Sequence, residues 1–444
     1  AGLPHRRATD MSESALGRVR RNFLIVLGLR WLSVGLIIPT MVLAMQSRGL
    51  SLTEIGLVLA TYSITVAILE LPTGGLADAL GRRPVLALAS AISIVGLVIF
   101  LFAQNTVAFI ASWVILGAGR ALDSGALEAW FVDATHEFDP DADLQPGLSR
   151  AGVVTGLALA GGSLAGGLIP KLLPGLAVGG DAILTELTVP VLAALIVGTL
   201  HLLATIALVT EQVEGRRLDN LRDSISEVPI VVREGLRIAV RQPVVRALFL
   251  AMVTVGVMIQ SIEALWQPRF ADLLDGAAGN TELFGFLATA AFLTAAAGSA
   301  LSPWLSRRLG RRDALLTAGV HVAGGVALLG LAAVGGFASS ALLYTSVYVF
   351  VGIAGPLHNE MLHKQVSSEQ RSTILSLDSL ALQLGALVGT LTLPALAEAA
   401  GIPLAWTVAA AVFIIGGGAY VAIDRRDRKS GISVSRNGQT APVG

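Results

Sequence analysis

Long apolar runs alternate with short polar segments along the whole chain. A helix needs about 20 mostly apolar residues to cross a bilayer. Twelve stretches qualify: 22–46, 54–75, 84–104, 107–131, 149–170 and 187–210, then 244–268, 282–304, 314–335, 338–357, 372–397 and 403–424. Several are dense in Gly and Ala, notably 156–167. Small residues let helix backbones approach closely in lipid, so this composition predicts tight helix packing. The predicted fold class is an all-α integral membrane protein with twelve transmembrane helices.

The polar separators sharpen this reading. Ser51-Leu52-Thr53-Glu54 has the form of a capping box at the start of the second helix. Asn280-Thr281-Glu282 opens the eighth, so Thr53-Glu54 and Thr281-Glu282 match at an offset of 228 residues. A second self-match is independent of the first. Gly74-Gly75-Leu76-Ala77-Asp78-Ala79-Leu80-Gly81-Arg82-Arg83-Pro84-Val85-Leu86 returns as Leu305-Ser306-Arg307-Arg308-Leu309-Gly310-Arg311-Arg312-Asp313-Ala314-Leu315. Gly81 falls on Gly310, an offset of 229 residues. Two matches at nearly one offset predict an internal duplication. The expected division is a segment 1–21, a six-helix bundle 22–211, a linker 212–242 with an amphipathic helix, a second six-helix bundle 243–424, and a tail 425–444.

Composition agrees with a membrane protein. The chain has 444 residues, 54% hydrophobic and 14% charged, with mean hydropathy +0.73. Soluble domains are typically about one quarter charged. The formal net charge is zero, so no bulk attraction to nucleic acid is expected. There is no cysteine, which excludes disulfides, thiolate metal sites and cysteine nucleophiles. The polar, basic stretch 1–21 lacks the apolar core and cleavage site of a signal peptide. With the N-terminus inside, 26 of the 31 Lys and Arg residues fall in inner segments and only Arg48, Lys171 and Arg269 in outer ones. The expected location is the inner (plasma) membrane, with both termini cytoplasmic.

The loop Gly74-x-Leu76-Ala77-Asp78-x-x-Gly81-Arg82-Arg83-x-x-Leu86 resembles the one between helices two and three of major facilitator superfamily transporters. Ala79 stands where that family often has a basic residue, and in the second copy Arg307 replaces the aspartate while Gly310-Arg311-Arg312 remains. The resemblance covers roughly 21–424. It implies two pseudo-symmetric six-helix bundles facing each other across a central cavity and rocking about it. Asp133, at the inner end of helix four, matches an acid that contacts the loop in relatives. A conformational latch is expected from Gly74, Asp78, Gly81, Arg82, Arg83 and Asp133, with Gly310, Arg311 and Arg312 in the second copy.

Ionisable side chains inside spanning helices are expensive and usually face the bundle interior or a water-filled cavity. Arg30 and Glu70 both lie about 12 Å from the inner surface, so a pair between helices one and two is allowed. Arg120 and Asp123 are three apart, share a helix face and are able to pair. Arg120 resembles the family's fourth-helix arginine, which implies a part in proton coupling, although it precedes Gly125 by five residues rather than four. Glu263 lies in the outer third of the seventh helix, and Asp378 two turns into the eleventh. Trp130 reads as an interfacial belt residue. His201 and His321 read as packing or local hydrogen-bonding residues, and His358 and His363 as hydrogen-bonding residues near the inner mouth. Glu360 and His363 have the spacing of one half of a helical di-iron site, but the second half is missing, so no metal is expected.

No phosphate loop, His-Glu-x-x-His or Gly-x-Ser-x-Gly motif occurs, so an enzyme is not expected. The energy source would be a proton gradient, with no cofactor, acting through Arg30, Glu70, Arg120, Asp123, Glu263 and Asp378. The excess of acids in this set suits a cation or a proton. The expected function is proton-coupled export of small amphipathic or cationic compounds, as in the drug:proton antiporter branch that the Gly-rich fifth helix loosely resembles. The alternatives are proton-coupled uptake of a nutrient or metabolite, and a non-transporting membrane sensor or lipid-handling protein. The expected partners are a small-molecule substrate, protons and the lipid bilayer, and the chain is expected to act as a monomer.

Overall fold

The computed structural model describes residues 3–176, 183–211, 237, 241–277, 279–365 and 371–429. The expected linker helix lies almost wholly outside these residues, as does the tail beyond 429. Twelve helical spans are long and apolar enough to cross a membrane: Ala15–Ser47, Leu52–Glu70, Arg82–Phe102, Thr106–Phe138, Gln145–Leu172 and Val189–Leu208, then Pro243–Leu273, Thr281–Arg308, Asp313–Ala333, Phe337–His363, Ile374–Ala400 and Ile402–Arg426. They are numbered 1 to 12 below. No strand occurs among the described residues. The helix of span 1 begins at Leu3, so it runs through the expected boundary at residue 21.

Two spans are broken, and local chemistry accounts for each break. In span 1 the helix stops at Ile37 and restarts at Met41, around Ile38-Pro39-Thr40. Proline has no amide hydrogen, and its ring disfavours helix in the preceding residue. In span 4 one helix ends at Asp123 and the next begins at Ala126, because Gly125 adopts φ +71°. Broken helices inside a membrane are tolerated only where protein or a cavity satisfies the freed backbone. Span 2 starts with the expected capping box, in which Ser51 Oγ accepts from Glu54 N and Ser51 N donates to Glu54 Oε2. Its counterpart Asn280 makes no such cap on span 8.

The core divides along the membrane normal. With consecutive spans antiparallel, the two chain ends share one face, the terminal face. Toward the opposite, far face one continuous core joins both halves, including Leu36, Phe100, Trp113, Trp266, Phe284 and Trp406. Toward the terminal face it separates into a first-half core around Phe23, Leu86, Trp130 and Phe131 and second-half cores around Val245, Leu248, Leu362 and Leu357. Glycines set the closest contacts, and in matching places. A methyl group on Gly166 of span 5 would lie 2.1 Å from the Leu36 carbonyl of span 1, and one on Gly385 of span 11 would lie 2.0 Å from the Val253 carbonyl of span 7.

Most hydrogen bonds between the halves lie toward the far face, and one, from Thr289 Oγ1 to Ala160 O at 3.0 Å, lies near the middle of span 5. Gln267 of span 7 reaches the break in span 1: its Oε1 accepts from Val42 N at 3.0 Å and Leu43 N at 3.3 Å, and its Nε2 donates to Ile38 O at 2.8 Å. One fully buried side chain thereby satisfies backbone groups that the break exposes. Thr53 N donates to Glu398 Oε2 at 2.8 Å, Lys171 pairs with Glu282, and Gly279 N donates to Glu186 Oε2. The molecule is closed at the far face.

Candidate functional site

A cavity of about 470 Å³ lies between the halves, walled mostly by spans 1–6, with Gln260, Glu263 and Phe292 entering from spans 7 and 8. Four charged side chains line it: Arg30, Arg120, Asp123 and Glu263. Arg30 Nε pairs with Asp123 Oδ2 at 2.5 Å, both nearly buried, and the guanidinium lies over the Trp31 ring at 4.9 Å. Asp123 Oδ1 is buried and has no hydrogen-bond partner among the described residues. Glu263 Oε1 accepts from Tyr348 Oη at 2.5 Å, and Tyr348 adjoins Tyr344, which stacks on Trp266.

These contacts revise the pairings expected from spacing. Arg30 pairs with Asp123 and not with Glu70. Ser124, just past the helix end at Asp123, donates to Glu70 Oε1 at 2.9 Å. Arg120 and Asp123 share the last turn of that helix, but the carboxylate is taken up by Arg30 from span 1. Neither Glu70 nor Asp378 lines the cavity. On the cavity wall two arginines therefore face two carboxylates, and the other two acids of the expected set lie elsewhere.

Asp378 belongs to a separate buried cluster near the terminal face of the second half. His358 Nε2 lies 3.0 Å from Asp378 Oδ1, and its Nδ1 lies 2.8 Å from Tyr420 Oη. His321 packs on Tyr420 with its Nδ1 2.9 Å from Thr317 O. His201 is part of the cavity wall and meets Ser90 Oγ at 3.2 Å. No group of three or more metal-ligating side chains occurs among the described residues.

The Gly81 loop of the expected latch is built into the first half. Gly81 links spans 2 and 3 at φ 95° and ψ 155°. Glu211, beyond span 6, accepts Arg82 N at 2.7 Å and Arg83 N at 3.2 Å, occupying the N-terminus of span 3. Arg83 donates to Ile206 O at 2.7 Å, and Arg82 Nε lies 3.5 Å from Asp133. Trp130 is no belt residue, being buried with its Nε1 donating to Thr210 O at 2.8 Å. The side chain of Asp78 lies outside what is described, so the Asp78 side of the expected latch is not described. In the second copy Gly310 and Arg311 both have positive φ, and Arg311 and Arg312 are exposed. Glu211, Gln267, Tyr348 and Tyr420 carry no motif. Only the spacing of Gln260, Glu263 and Gln267 on one helix face signals such contacts.

The Major Facilitator Superfamily model matches residues 23–359 and 278–443. The chain belongs to this superfamily. A relative in Bacillus subtilis (strain 168), described as an uncharacterized MFS-type transporter YxaM, is 25% identical over 245 residues, which is 55% of this chain and 57% of that protein. The chain thus matches little more than half the length of that relative. Among solved structures, the nucleoside transporter NupG gives a TM-score of 0.72 at 12% identity, covering 91% of this chain and 98% of that one. The peptide transporter POT in complex with sulfate gives 0.70 at 13%, covering 92% and 94%. The human organic anion transporter MFSD10 (TETRAN) gives 0.62 at 17%, covering 91% and 99%. At these identities the structures establish the fold, which is the MFS fold. The family and the fold are those of multi-pass membrane transporters rather than enzymes.

Proposed function

We propose that the chain is a secondary active transporter that exports small amphipathic compounds in exchange for protons by alternating access. The observation that carries this reading is the Arg30–Asp123 pair on the cavity wall, with Asp123 Oδ1 left without a hydrogen-bond partner. A proton on Asp123 and an ion pair with Arg30 are alternatives, so proton binding at Asp123 is linked to where Arg30 is held. Arg30 belongs to span 1, whose far end is clasped by Gln267 from the other half, so a change at the pair has a mechanical route to the closed face. Glu263 is the second candidate proton carrier, opposite the first across the cavity. The apolar and aromatic wall, including Trp31, Tyr62, Trp113 and Phe292, supports an amphipathic substrate. With the terminal face cytoplasmic, as the distribution of Lys and Arg supports, the conformation is the one closed to the outside. The chain acts at the plasma membrane, and export follows the drug:proton antiporter resemblance.

The test is transport in proteoliposomes that contain a pH-sensitive dye. Inside-out vesicles acidified within should accumulate the substrate, and substrate addition should release protons from them. Asp123→Asn or Glu263→Gln should abolish uphill accumulation and leave some downhill exchange. Accumulation by both variants would remove proton coupling from these acids, and accumulation only in right-side-out vesicles with acid outside would make the protein an importer.

A further inference from the structure

We infer that Arg120 is the anchor for the substrate's charge, and that the substrate is an amphipathic organic anion: a small apolar body carrying one carboxylate or sulfonate. The inference rests on the reading of the cavity as the substrate site and reverses the sign of charge expected from the sequence.

The argument compares the four charges that line the cavity. Arg30 is neutralised by Asp123 and stacked over Trp31. Asp123 is held by Arg30. Glu263 accepts a hydrogen bond from Tyr348. Arg120 alone has neither a hydrogen bond nor a carboxylate within ion-pair distance among the described residues, yet it is half-buried and faces the cavity. Its neighbour Arg30 adds a second positive charge, and the two guanidinium groups repel each other. A cation held inside a membrane protein without a counter-charge is costly and marks a functional site.

Its position prevents easy relief. Arg120 lies in the last turn before the break in span 4, with the whole following helix, Ala126–Phe138, between it and the terminal face, so its side chain is too short to reach the membrane surface. A bound anion would supply the missing partner. The guanidinium presents a planar fork of donors that matches a carboxylate bidentately, and such pairs are stronger than neutral hydrogen bonds. The rest of the wall sets the other half of the ligand. Trp31, Tyr62, Trp113 and Phe292 offer apolar and aromatic surface, and the volume is that of a small organic molecule.

The experiment uses three probes with one skeleton: naphthylacetate, naphthylacetamide and naphthylethylammonium. Binding to the full chain in nanodiscs is measured by calorimetry without any gradient, so the outcome does not depend on proton coupling or direction of transport. Naphthylacetate should bind at least about tenfold more tightly than either other probe. Arg120→Gln should remove that preference while leaving naphthylacetamide affinity within about twofold, which also verifies that the variant is folded. Arg120→Lys, which keeps the charge but loses the fork, should retain part of the preference. Tightest binding of the ammonium probe, binding of none of the three, or a carboxylate preference that survives Arg120→Gln would overturn the assignment.

Discussion

The two halves share a fold but treat buried charge differently. In the first half, ions meet ions: Arg30 faces Asp123 on the cavity wall, with Arg120 beside them. In the second half, Asp313 near the terminal face still lies 3.8 Å from Lys364, but the two acids deeper in the membrane are held by groups that need carry no charge. Glu263 is held by Tyr348, and Asp378 by His358, itself bonded to Tyr420. The duplicated loop differs in another way, since the first copy encloses the Glu211 carboxylate with backbone amides and the second leaves Gly310 open to space. The helices and the glycine contacts between them thus match in the two halves, while the polar interior differs. An ion pair is sensitive to loss of either member, whereas a neutral network tolerates small changes, and that difference is measurable.

The largest effect is expected at the ion pair. Asp123→Asn leaves Arg30 buried without its counter-charge, and breaking a buried pair from one side costs about 3–5 kcal/mol. Asp378→Asn leaves His358 an amide to bond, and losing one neutral hydrogen bond costs about 1 kcal/mol. Thermal unfolding in detergent should therefore show a several-fold larger loss for Asp123→Asn. Arg30→Met combined with Asp123→Leu should recover most of that loss, because replacing both members removes the stranded charge. A larger loss from Asp378→Asn would mean that the second half also relies on an ion pair, with His358 charged.

The next effect lies where the halves meet. Gln267→Leu removes three hydrogen bonds between span 7 and the break in span 1. Each is worth about 0.5–1.5 kcal/mol net, and the backbone groups left behind remain buried. The population should shift toward a state open at the far face. The chain has no native cysteine, so one placed at Thr40 reports this directly. Thiol labelling there should accelerate by at least about tenfold in Gln267→Leu. An unchanged rate would show that the apolar core shared by both halves holds the far face closed without the clasp.

Much of this architecture is legible in the chain. Span number, the capping box at Ser51 and the duplicated loop follow from hydrophobic length and local residue types. The pairing of charges does not. Sequence spacing places Arg120 beside Asp123, but Arg30 of span 1 takes the acid, and the left-handed turn at Gly125 frees Ser124 to bond Glu70. Glu211 is legible only as the end of span 6, because its partners are backbone amides 129 and 128 residues away. Such contacts leave no periodic trace in one sequence.

The smallest effects compare Gly81 with Gly310. Gly81 has φ 95° and ψ 155°, a region that only glycine occupies readily, at a cost of about 1–3 kcal/mol for other residues. A methyl group there would also lie 2.5 Å from Glu211 Oε2. Gly310 has φ 68°, where an alanine costs about 1–2 kcal/mol, and a methyl group there would meet nothing within 4 Å. Gly81→Ala should therefore destabilise the chain more than Gly310→Ala. The excess has two sources, backbone strain and displacement of Glu211 from the N-terminus of span 3, and a double-mutant cycle separates them. Glu211→Ala alone should cost about 1 kcal/mol, as loss of a helix cap does. In the Glu211→Ala background Gly81→Ala should cost less than in the native chain, by up to the worth of that cap. Gly310→Ala should be additive with Glu211→Ala, since no contact joins them. A Gly81→Ala cost that is equal in both backgrounds would place the whole difference in the backbone, leaving Glu211 with no part in why glycine is required at this turn.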